Sequence, residues 1–122
     1  MKAGVLYTNE DIRYEDVETP KAGKGEVVVK VKAVGICGSD VPRVLLSGAH
    51  YYPIILGHEF SGDIAQIGEG VDGFKIGDRV AGAPLVPCFR CSDCQRGNYS
   101  LCKNYTFIGS REPGAFAEYV KI

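Results

Sequence analysis

The stretch Gly57-His58-Glu59-Phe60-Ser61-Gly62 places an imidazole beside a carboxylate, between two glycines, in a part of the chain that otherwise has a β-strand pattern. Cys37 lies upstream, within Gly35-Ile36-Cys37-Gly38-Ser39-Asp40. A thiolate, a neutral imidazole and an oxygen ligand form the set that a catalytic zinc takes, with a fourth position kept for water or substrate. We therefore interpret the rest of the chain as a scaffold that brings Cys37 and His58 together, with a separate metal-binding segment later on.

The composition excludes several classes of protein. The chain has 122 residues, of which 45% are hydrophobic, and a net charge of −1 from 14 basic and 15 acidic residues. That length suffices for one domain with a core. No basic patch suggests nucleic acid, and no apolar run approaches a membrane span. We expect a soluble, cytoplasmic protein with no nucleic-acid or membrane partner, in which five cysteines favour metal binding or catalysis over disulfides.

The spacing of glycines predicts a β fold. Sixteen glycines separate short runs rich in valine and isoleucine, which is typical of a twisted all-β barrel or sandwich. Strands are predicted at residues 2–7, 12–18, 26–35, 59–67, 78–82 and 115–122, the first two as a hairpin. One short helix is predicted over residues 39–46, with Ser39 or Asp40 as its cap and Val44-Leu45-Leu46 as its buried side.

The motif Cys88-x-x-Cys91-x-x-Cys94-x₇-Cys102 is the strongest metal signal in the chain. Two short spacings followed by a return across a loop can place four sulfurs tetrahedrally around one ion. Disulfides are the first rival, but the residues between the cysteines are polar and turn-forming. An iron–sulfur cluster is the second, but its bacterial spacing closes with three residues and a proline, whereas here seven residues intervene and Lys103 follows. The spacing favours one structural zinc in a lobe of about residues 84–108.

The pair Cys37 and His58 is a weaker signal, because a single cysteine is often a small core residue. Asp40 can accept a hydrogen bond from the free ring nitrogen of His58, as the partners of zinc-bound histidines do. Ser39 can relay a proton from a zinc-bound hydroxyl. Both residues also suit a helix cap, and the two roles are compatible. Arg43 and, elsewhere, Arg111 are by default solvated charges.

The run Gly68-x-Gly70-x-x-Gly73 matches the dinucleotide-binding fingerprint in letters only. That fingerprint needs a helix after its glycines, and residues 74–78 do not have a helical pattern. We interpret the run as a β-turn, and the chain contains no other nucleotide-binding pattern.

Together these motifs resemble the zinc-containing alcohol dehydrogenases of the medium-chain type. The resemblance spans the chain and is carried by Gly57-His58-Glu59-x-x-Gly62-x₅-Gly68-x-x-Val71, by Cys37-Gly38-Ser39-Asp40 and by the four-cysteine lobe. Within the family, the sequence is most similar to the polyol dehydrogenases, those that act on sorbitol or galactitol 1-phosphate. The stretches that carry this likeness are residues 37–43, 48–53, 87–89 and 107–111.

The resemblance implies a mainly β fold, namely a GroES-like β-barrel with a short helix and a zinc-binding lobe. It implies that residues 1–122 are the N-terminal part of the catalytic domain, and that the family's NAD-binding Rossmann domain is absent from this chain. The full-length protein would then be a zinc-dependent, NAD(P)-linked alcohol or polyol dehydrogenase. It would act as a homo-oligomer, a dimer or tetramer, on a small-molecule polyol or polyol phosphate such as galactitol 1-phosphate. The 122-residue chain alone would be inactive.

The resemblance also implies roles for individual residues. Cys37 and His58 would ligate a catalytic zinc, Glu59 would be a ligand or a nearby acid, and Ser39 would take the alcohol proton beside Asp40. The structural zinc would be held by Cys88, Cys91, Cys94 and Cys102. The family's further acidic ligand lies beyond residue 122, so we expect the catalytic site here to be half-built and to bind its metal weakly.

One departure from the family affects the proton path, because many members carry a histidine where this chain has Pro42. The segment from Pro42 to Tyr52 is polar and aromatic, and it offers donors for hydroxyls and a phosphate from Arg43, His50, Tyr51 and Tyr52. Such a lining suits a polyol better than a simple aliphatic alcohol. Equally, the tyrosines can serve only to pack the chain.

Two other functions remain open at this point. The chain can be a free-standing zinc-binding structural module without catalysis, and continuation of the reading frame past Ile122 into a βαβ pattern would argue against that. A relative of the quinone reductases that lacks the catalytic zinc is disfavoured by the presence of Cys37, His58 and Glu59.

Overall fold

The computed structural model describes all residues from Met1 to Ile122 and consists mainly of β-strands. Its strands are β1 (Lys2–Thr8), β2 (Asp11–Asp16), β3 (Val27–Gly35), β4 (Ile54–Ile55), β5 (Glu59–Ile67), β6 (Arg79–Ala81), β7 (Leu85–Val86), β8 (Thr106–Phe107) and β9 (Tyr119–Lys121). Helix α1 spans Asp40–Leu45, helix α2 spans Ser92–Gln95, and a 3₁₀ turn covers Tyr99–Leu101. The mainly β fold class predicted from the sequence is therefore confirmed. None of the helices is both long and apolar enough to cross a membrane.

Two antiparallel sheets carry the fold. The first has the order β2-β1-β4 and the second the order β6-β5-β3-β9, while β7 and β8 form a separate pair. The predicted hairpin is present, with Leu6 of β1 opposite Ile12 of β2. The predicted strand at 115–122 is shorter than expected: it is regular only in β9, and Ala117 forms an isolated bridge with Ala3.

The longest pairing, between β3 and β5, follows the alternation in the sequence. Val29 of β3 is buried while Lys30 and Lys32 are exposed, so one face packs inward and the other meets solvent. At the end of this pairing Gly35 lies opposite Glu59. Because β3 ends where β5 begins, the chain after Gly35 is brought beside the residues that precede Glu59.

The core consists of two clusters on either side of the His58 stretch. The first contains Val29, Phe60, Ile108, Ala115 and Val120, and the second contains Leu6, Ile54 and Leu56. Leu56 and Phe60, two residues before and after His58, thus belong to different clusters. Burying one such side chain contributes about 1.5–3 kcal/mol, so the backbone on both sides of His58 is anchored.

Gly62 of β5 packs directly on the backbone of β3. A methyl group at this position would collide with the carbonyl oxygen of Lys30 and approach Cγ1 of Val29 to 2.7 Å. Because the carbonyl cannot retreat without disturbing the β3–β5 pairing, Gly62→Ala is expected to lower the free energy of unfolding by about 3 kcal/mol or more. Urea denaturation followed by circular dichroism measures this change.

Gly4→Ala is the matched control for that measurement, since Gly4 also lies in a strand. A methyl group there would meet only atoms at 3.7 Å or more, so its effect is expected to stay below about 1 kcal/mol. Equal losses in the two variants would contradict the close packing of β5 on β3.

Helix α1 differs from its prediction in its packing and in its cap. Leu45 and Leu46 are 50% and 77% exposed, and only Val44 of the predicted buried side packs against the second cluster. Six residues make less than two turns, too few for a continuous apolar stripe. Ser39 is the N-cap residue but its side chain makes no capping hydrogen bond. The carboxylate of Asp40 likewise turns back toward Cys37.

Candidate functional site

Three potential metal ligands meet where β3 ends and β5 begins. The donor atoms of Cys37, His58 and Glu59 all lie within 4.8 Å of one another. Cys37 is half-buried, His58 is buried and Glu59 is exposed. Zinc lies about 2.0–2.3 Å from each of its ligands, so three donor atoms gathered this closely can share one ion once their side chains close around it. The structure thus brings together three residues that the sequence predicted as ligands.

The backbone at Gly57 fixes the direction of the His58 side chain. Gly57 has a φ of 92°, a backbone angle that residues other than glycine rarely adopt. A Cβ here would also lie 2.9 Å from the backbone nitrogen of Phe116. The carbonyl of Gly57 accepts a hydrogen bond of 2.8 Å from the N–H of Ala115, and the His58 ring packs edge-on against Phe107, with centroids 5.5 Å apart.

Asp40 lies behind the His58 ring, but the predicted hydrogen bond between them is not formed. His58 Nδ1 and Asp40 Oδ1 are 3.5 Å apart, which exceeds the usual range for an N–H···O bond. Both atoms are buried and neither has a hydrogen-bond partner. Arg43 Nη1 lies 3.6 Å from the same oxygen, so two donors face one acceptor and neither closes on it.

This unpartnered pair fits a metal bound on the other side of the ring. A histidine that ligates through Nε2 carries its proton on Nδ1, and that proton is usually donated to a carboxylate or carbonyl. Asp40 Oδ1 is such an acceptor, and its only ion-pair partners are His58 and Arg43. Asp40 Oδ2 accepts a hydrogen bond of 3.1 Å from the N–H of Cys37. One carboxylate therefore faces both Cys37 and His58.

Ser39 and Arg43 form a further set of contacts with Cys37. The Ser39 hydroxyl donates to Cys37 Sγ at 3.4 Å, and Arg43 Nη1 donates to Ser39 Oγ at 3.0 Å. The default prediction that Arg43 is a solvated charge is wrong, because its side chain is only 21% exposed. The available signal was its position four residues after Ser39 on a predicted helix, since such residues are neighbours. Arg111 is exposed and lies over the Tyr105 ring.

The four cysteines of the lobe also converge. Their sulfurs lie within 4.8 Å of one another, with separations of 3.5 Å for Cys91–Cys94 and 4.0 Å for both Cys88–Cys94 and Cys91–Cys102. All are free thiols, which disfavours the disulfide alternative. Tetrahedral zinc with bonds of about 2.3 Å separates its sulfurs by about 3.8 Å. The donor set therefore fits zinc in both number and spacing.

The lobe also prepares its thiols differently for metal binding. Backbone N–H groups of Cys94 and Lys103 lower the pKa of Cys91 to about 6, and those of Arg90 and Cys91 lower the pKa of Cys88. Burial raises the pKa of Cys94 to about 12. Because the thiolate is the ligating form, the backbone N–H groups around Cys91 favour that form, whereas Cys94 would have to lose its proton on binding a metal.

The run Gly68-x-Gly70-x-x-Gly73 is a turn between β5 and β6, and no helix follows it. Its interpretation as a β-turn is therefore confirmed.

The Tyr52 hydroxyl, which the sequence offered as a donor to substrate, is already engaged within the chain. It donates to Asn9 Oδ1 and accepts from the N–H of Ala49. Tyr52 thus packs the chain entry into β4, whereas His50 remains exposed.

Comparison with known proteins places this geometry in a family. The family model described as "Alcohol dehydrogenase GroES-like domain" matches residues 23–122. The galactitol 1-phosphate 5-dehydrogenase of Escherichia coli K12 is 50% identical over 123 residues, covering 100% of this chain and 36% of that protein. The sorbitol dehydrogenase of Bacillus subtilis 168 is 42% identical over 135 residues, again covering 100% of this chain and 36% of that protein.

Solved structures agree with these matches. The crystal structure of galactitol-1-phosphate dehydrogenase from Escherichia coli aligns with a TM-score of 0.95 at 50% identity, over 100% of this chain and 36% of that one. A cobalt- and zinc-bound thermostable alcohol dehydrogenase from Pyrobaculum aerophilum aligns with a TM-score of 0.92 at 32% identity, over 100% of this chain and 39% of that one. The chain spans about a third of the length of the curated relatives it matches. The predicted GroES-like fold is confirmed, and the chain belongs to the zinc-containing, medium-chain alcohol dehydrogenase family.

Proposed function

We propose that this chain is the N-terminal part of the catalytic domain of a zinc-dependent, NAD(P)-linked polyol dehydrogenase. The enzyme would oxidise a secondary hydroxyl of a sugar alcohol or polyol phosphate such as galactitol 1-phosphate. The convergence of Cys37, His58 and Glu59 within 4.8 Å carries the proposal, in a chain 50% identical to a galactitol 1-phosphate 5-dehydrogenase. A mixed set of three ligands with an open position is typical of catalytic rather than structural zinc.

The residues of the site would divide the work as follows. Zinc would supply a Lewis acid that lowers the pKa of a substrate hydroxyl. Cys37 and His58 would hold the ion, and Glu59, exposed at the start of β5, would complete or adjoin its shell. The Ser39 hydroxyl lies 3.4 Å from Cys37 Sγ, and we propose that it accepts the proton of the substrate alcohol. Asp40 would hold the His58 ring in the tautomer that carries its proton on Nδ1.

The remaining chemistry needs groups outside these residues. The hydride would pass to a nicotinamide cofactor, NAD or NADP, because such cofactors carry that reaction. Pro42 has no side-chain acceptor for a proton leaving Ser39, and Arg43 cannot serve because a guanidinium stays charged. His50 is exposed, and we propose it as the candidate outlet toward solvent.

Steady-state kinetics of the full-length enzyme test the substrate class. We expect kcat/KM to fall from galactitol 1-phosphate to sorbitol and again to ethanol, by about tenfold or more at each step, since a site built for polar groups rejects substrates that leave those groups unpaired. A higher value for ethanol would remove the polyol assignment and leave a generic zinc alcohol dehydrogenase.

We also propose one structural zinc in the lobe of residues 84–108. Cys88, Cys91, Cys94 and Cys102 provide four sulfurs and no open position, as closed structural sites do. The lobe is compatible with a free-standing zinc-binding module too. The Cys37, His58 and Glu59 set favours the enzyme, because a purely structural module has no need of a second, incomplete set of ligands.

We further propose that the protein functions as a homo-oligomer, a dimer or tetramer. Several large apolar side chains are more than 60% exposed, namely Ile36, Leu46, Ile76, Phe89 and Leu101. Where such side chains adjoin one another they favour association, with a second copy or with the rest of a longer chain. Static light scattering of the 122-residue chain is expected to give a mass above that of the monomer, and association should persist in high salt. A monomer at every concentration and salt would count against this proposal.

A further inference from the structure

Arg43, in helix α1, contacts two residues beside the candidate metal site, Ser39 and Asp40. Its Nη1 donates to both Oγ and the carbonyl oxygen of Ser39, at 3.0 and 3.4 Å, and lies 3.6 Å from Asp40 Oδ1. The Asp40 side chain is only 2% exposed. A carboxylate this deeply buried is costly unless positive charge or hydrogen bonds compensate it. Arg43 supplies the permanent positive charge beside it.

The contact with Ser39 determines where the serine hydroxyl points. Because Ser39 Oγ accepts from Arg43, its own hydrogen is free to donate, and it does so to Cys37 Sγ. Asp40 meanwhile receives the N–H of Cys37. Both the thiol and the backbone of Cys37 are therefore held by groups that Arg43 contacts.

The remaining nitrogens of the guanidinium do not contribute to this arrangement. All three contacts run through Nη1, and neither Nε nor Nη2 of Arg43 has a protein partner. Arg43 itself cannot ligate a metal, since a guanidinium has only donors. Its influence on the site is therefore exerted through its contacts with Ser39 and Asp40.

We propose that Arg43 is a positioning residue of the metal site that the proposed function requires. It fixes the Ser39 hydroxyl against the Cys37 thiol and shares the charge of Asp40. Cys37 is thereby held in place beside His58 before a metal arrives. Removing Arg43 would loosen Cys37, although Arg43 does not touch it.

Cobalt titration of the 122-residue chain tests this inference without any need for turnover. Cobalt bound to thiolate absorbs in the near ultraviolet and visible, and the part of the spectrum lost in Cys37→Ser belongs to this site rather than to the lobe. Arg43→Ala is expected to weaken cobalt binding here by about 10–100-fold, the range that partners of metal ligands contribute. The sulfur-to-cobalt band should also shift, because Cys37 loses an ordered hydrogen bond from Ser39. The lobe signal should not change.

Arg43→Lys is the rescue variant and Arg13→Ala the matched control. Lysine restores a positive charge near Asp40 as a point charge without the planar fork, so its affinity should fall between those of the wild type and Arg43→Ala. Arg13 pairs with Asp11 on the surface, and its removal should leave cobalt binding unchanged. The unaltered lobe signal and thermal unfolding report whether each variant folds.

A double-mutant cycle with Ser39→Ala adds a test that does not depend on one variant. If Arg43 acts through Ser39, the loss of cobalt affinity in the double variant should be clearly smaller than the sum of the losses in the two single variants. Affinity in Arg43→Ala within about twofold of the wild type, no rescue by lysine, or strict additivity would overturn the inference. Absence of any Cys37-dependent cobalt signal in the wild type would instead overturn the metal site itself, and the inference with it.

Discussion

Cys94→Ser is expected to lose the metal of the four-cysteine lobe and to disorder much of residues 84–108. Cys94 is buried, and its sulfur lies 3.5 Å from that of Cys91. The lobe has little apolar core of its own: helix α2 has four residues, and Phe89 and Leu101 are largely exposed. Metal binding is therefore expected to supply much of the energy that orders it, and structural zinc contributes about 10–16 kcal/mol in small zinc domains.

Elemental analysis and amide NMR measure this effect together. The wild-type chain should hold zinc tightly in the lobe, whereas Cys94→Ser should lose that tightly bound zinc and the dispersed signals of the lobe. Losing a ligand should exceed the roughly 10–100-fold loss of affinity caused by removing a ligand's partner. Cys37→Ser is the control, because it removes a thiol from the other site and should keep the lobe zinc. Iron with visible absorbance, or a Cys88–Cys91 disulfide, would contradict the assignment.

His58→Ala in the full-length enzyme is expected to remove nearly all activity. The buried imidazole lies with Cys37 and Glu59 within 4.8 Å, and alanine offers no ligand in its place. A metal Lewis acid provides several kcal/mol of transition-state stabilisation, which corresponds to about a thousandfold or more in rate. The expected result is therefore a fall in kcat of at least about that size, with loss of the weaker of the two zincs.

His50→Ala is the natural control for metal content, because the chain has only two histidines. His50 is exposed and stands apart from the ligand set, so this variant should keep both zincs. Zinc content unchanged in His58→Ala, or activity within about tenfold of the wild type, would contradict the role of His58 as a ligand.

The sequence predicted best those features that depend on nearby residues. The four-cysteine spacing indicated one metal site because its members lie close along the chain, and the structure brings all four sulfurs together. The meeting of Cys37 with His58 depends on the register of β3 and β5, in which Gly35 lies opposite Glu59. No local pattern determined that register, so the pair was predicted from the ligand chemistry of a cysteine and a histidine and not from their expected positions.

Features set by tertiary packing were harder to predict. Leu45 and Leu46 were expected to be buried, but a helix as short as α1 gives too few residues for its apolar face to be identified. The contacts of Arg43 with Ser39 and Asp40 were not predicted, because any charge on a surface helix has a neighbour four residues away and only burial shows which pair matters. The 3.5 Å gap between Asp40 and His58 likewise depends on how α1 lies relative to the residues just before β5.

Crystals of the chain grown with millimolar zinc and measured at the zinc absorption edge test most directly whether Cys37, His58 and Glu59 form a metal site. Two anomalous peaks per chain are expected. The stronger should lie among the four sulfurs of the lobe, and the weaker between Cys37 Sγ and the His58 imidazole, where only three protein ligands converge. A single peak in the lobe, with no density between Cys37 and His58 at that zinc concentration, would contradict the proposed catalytic metal site.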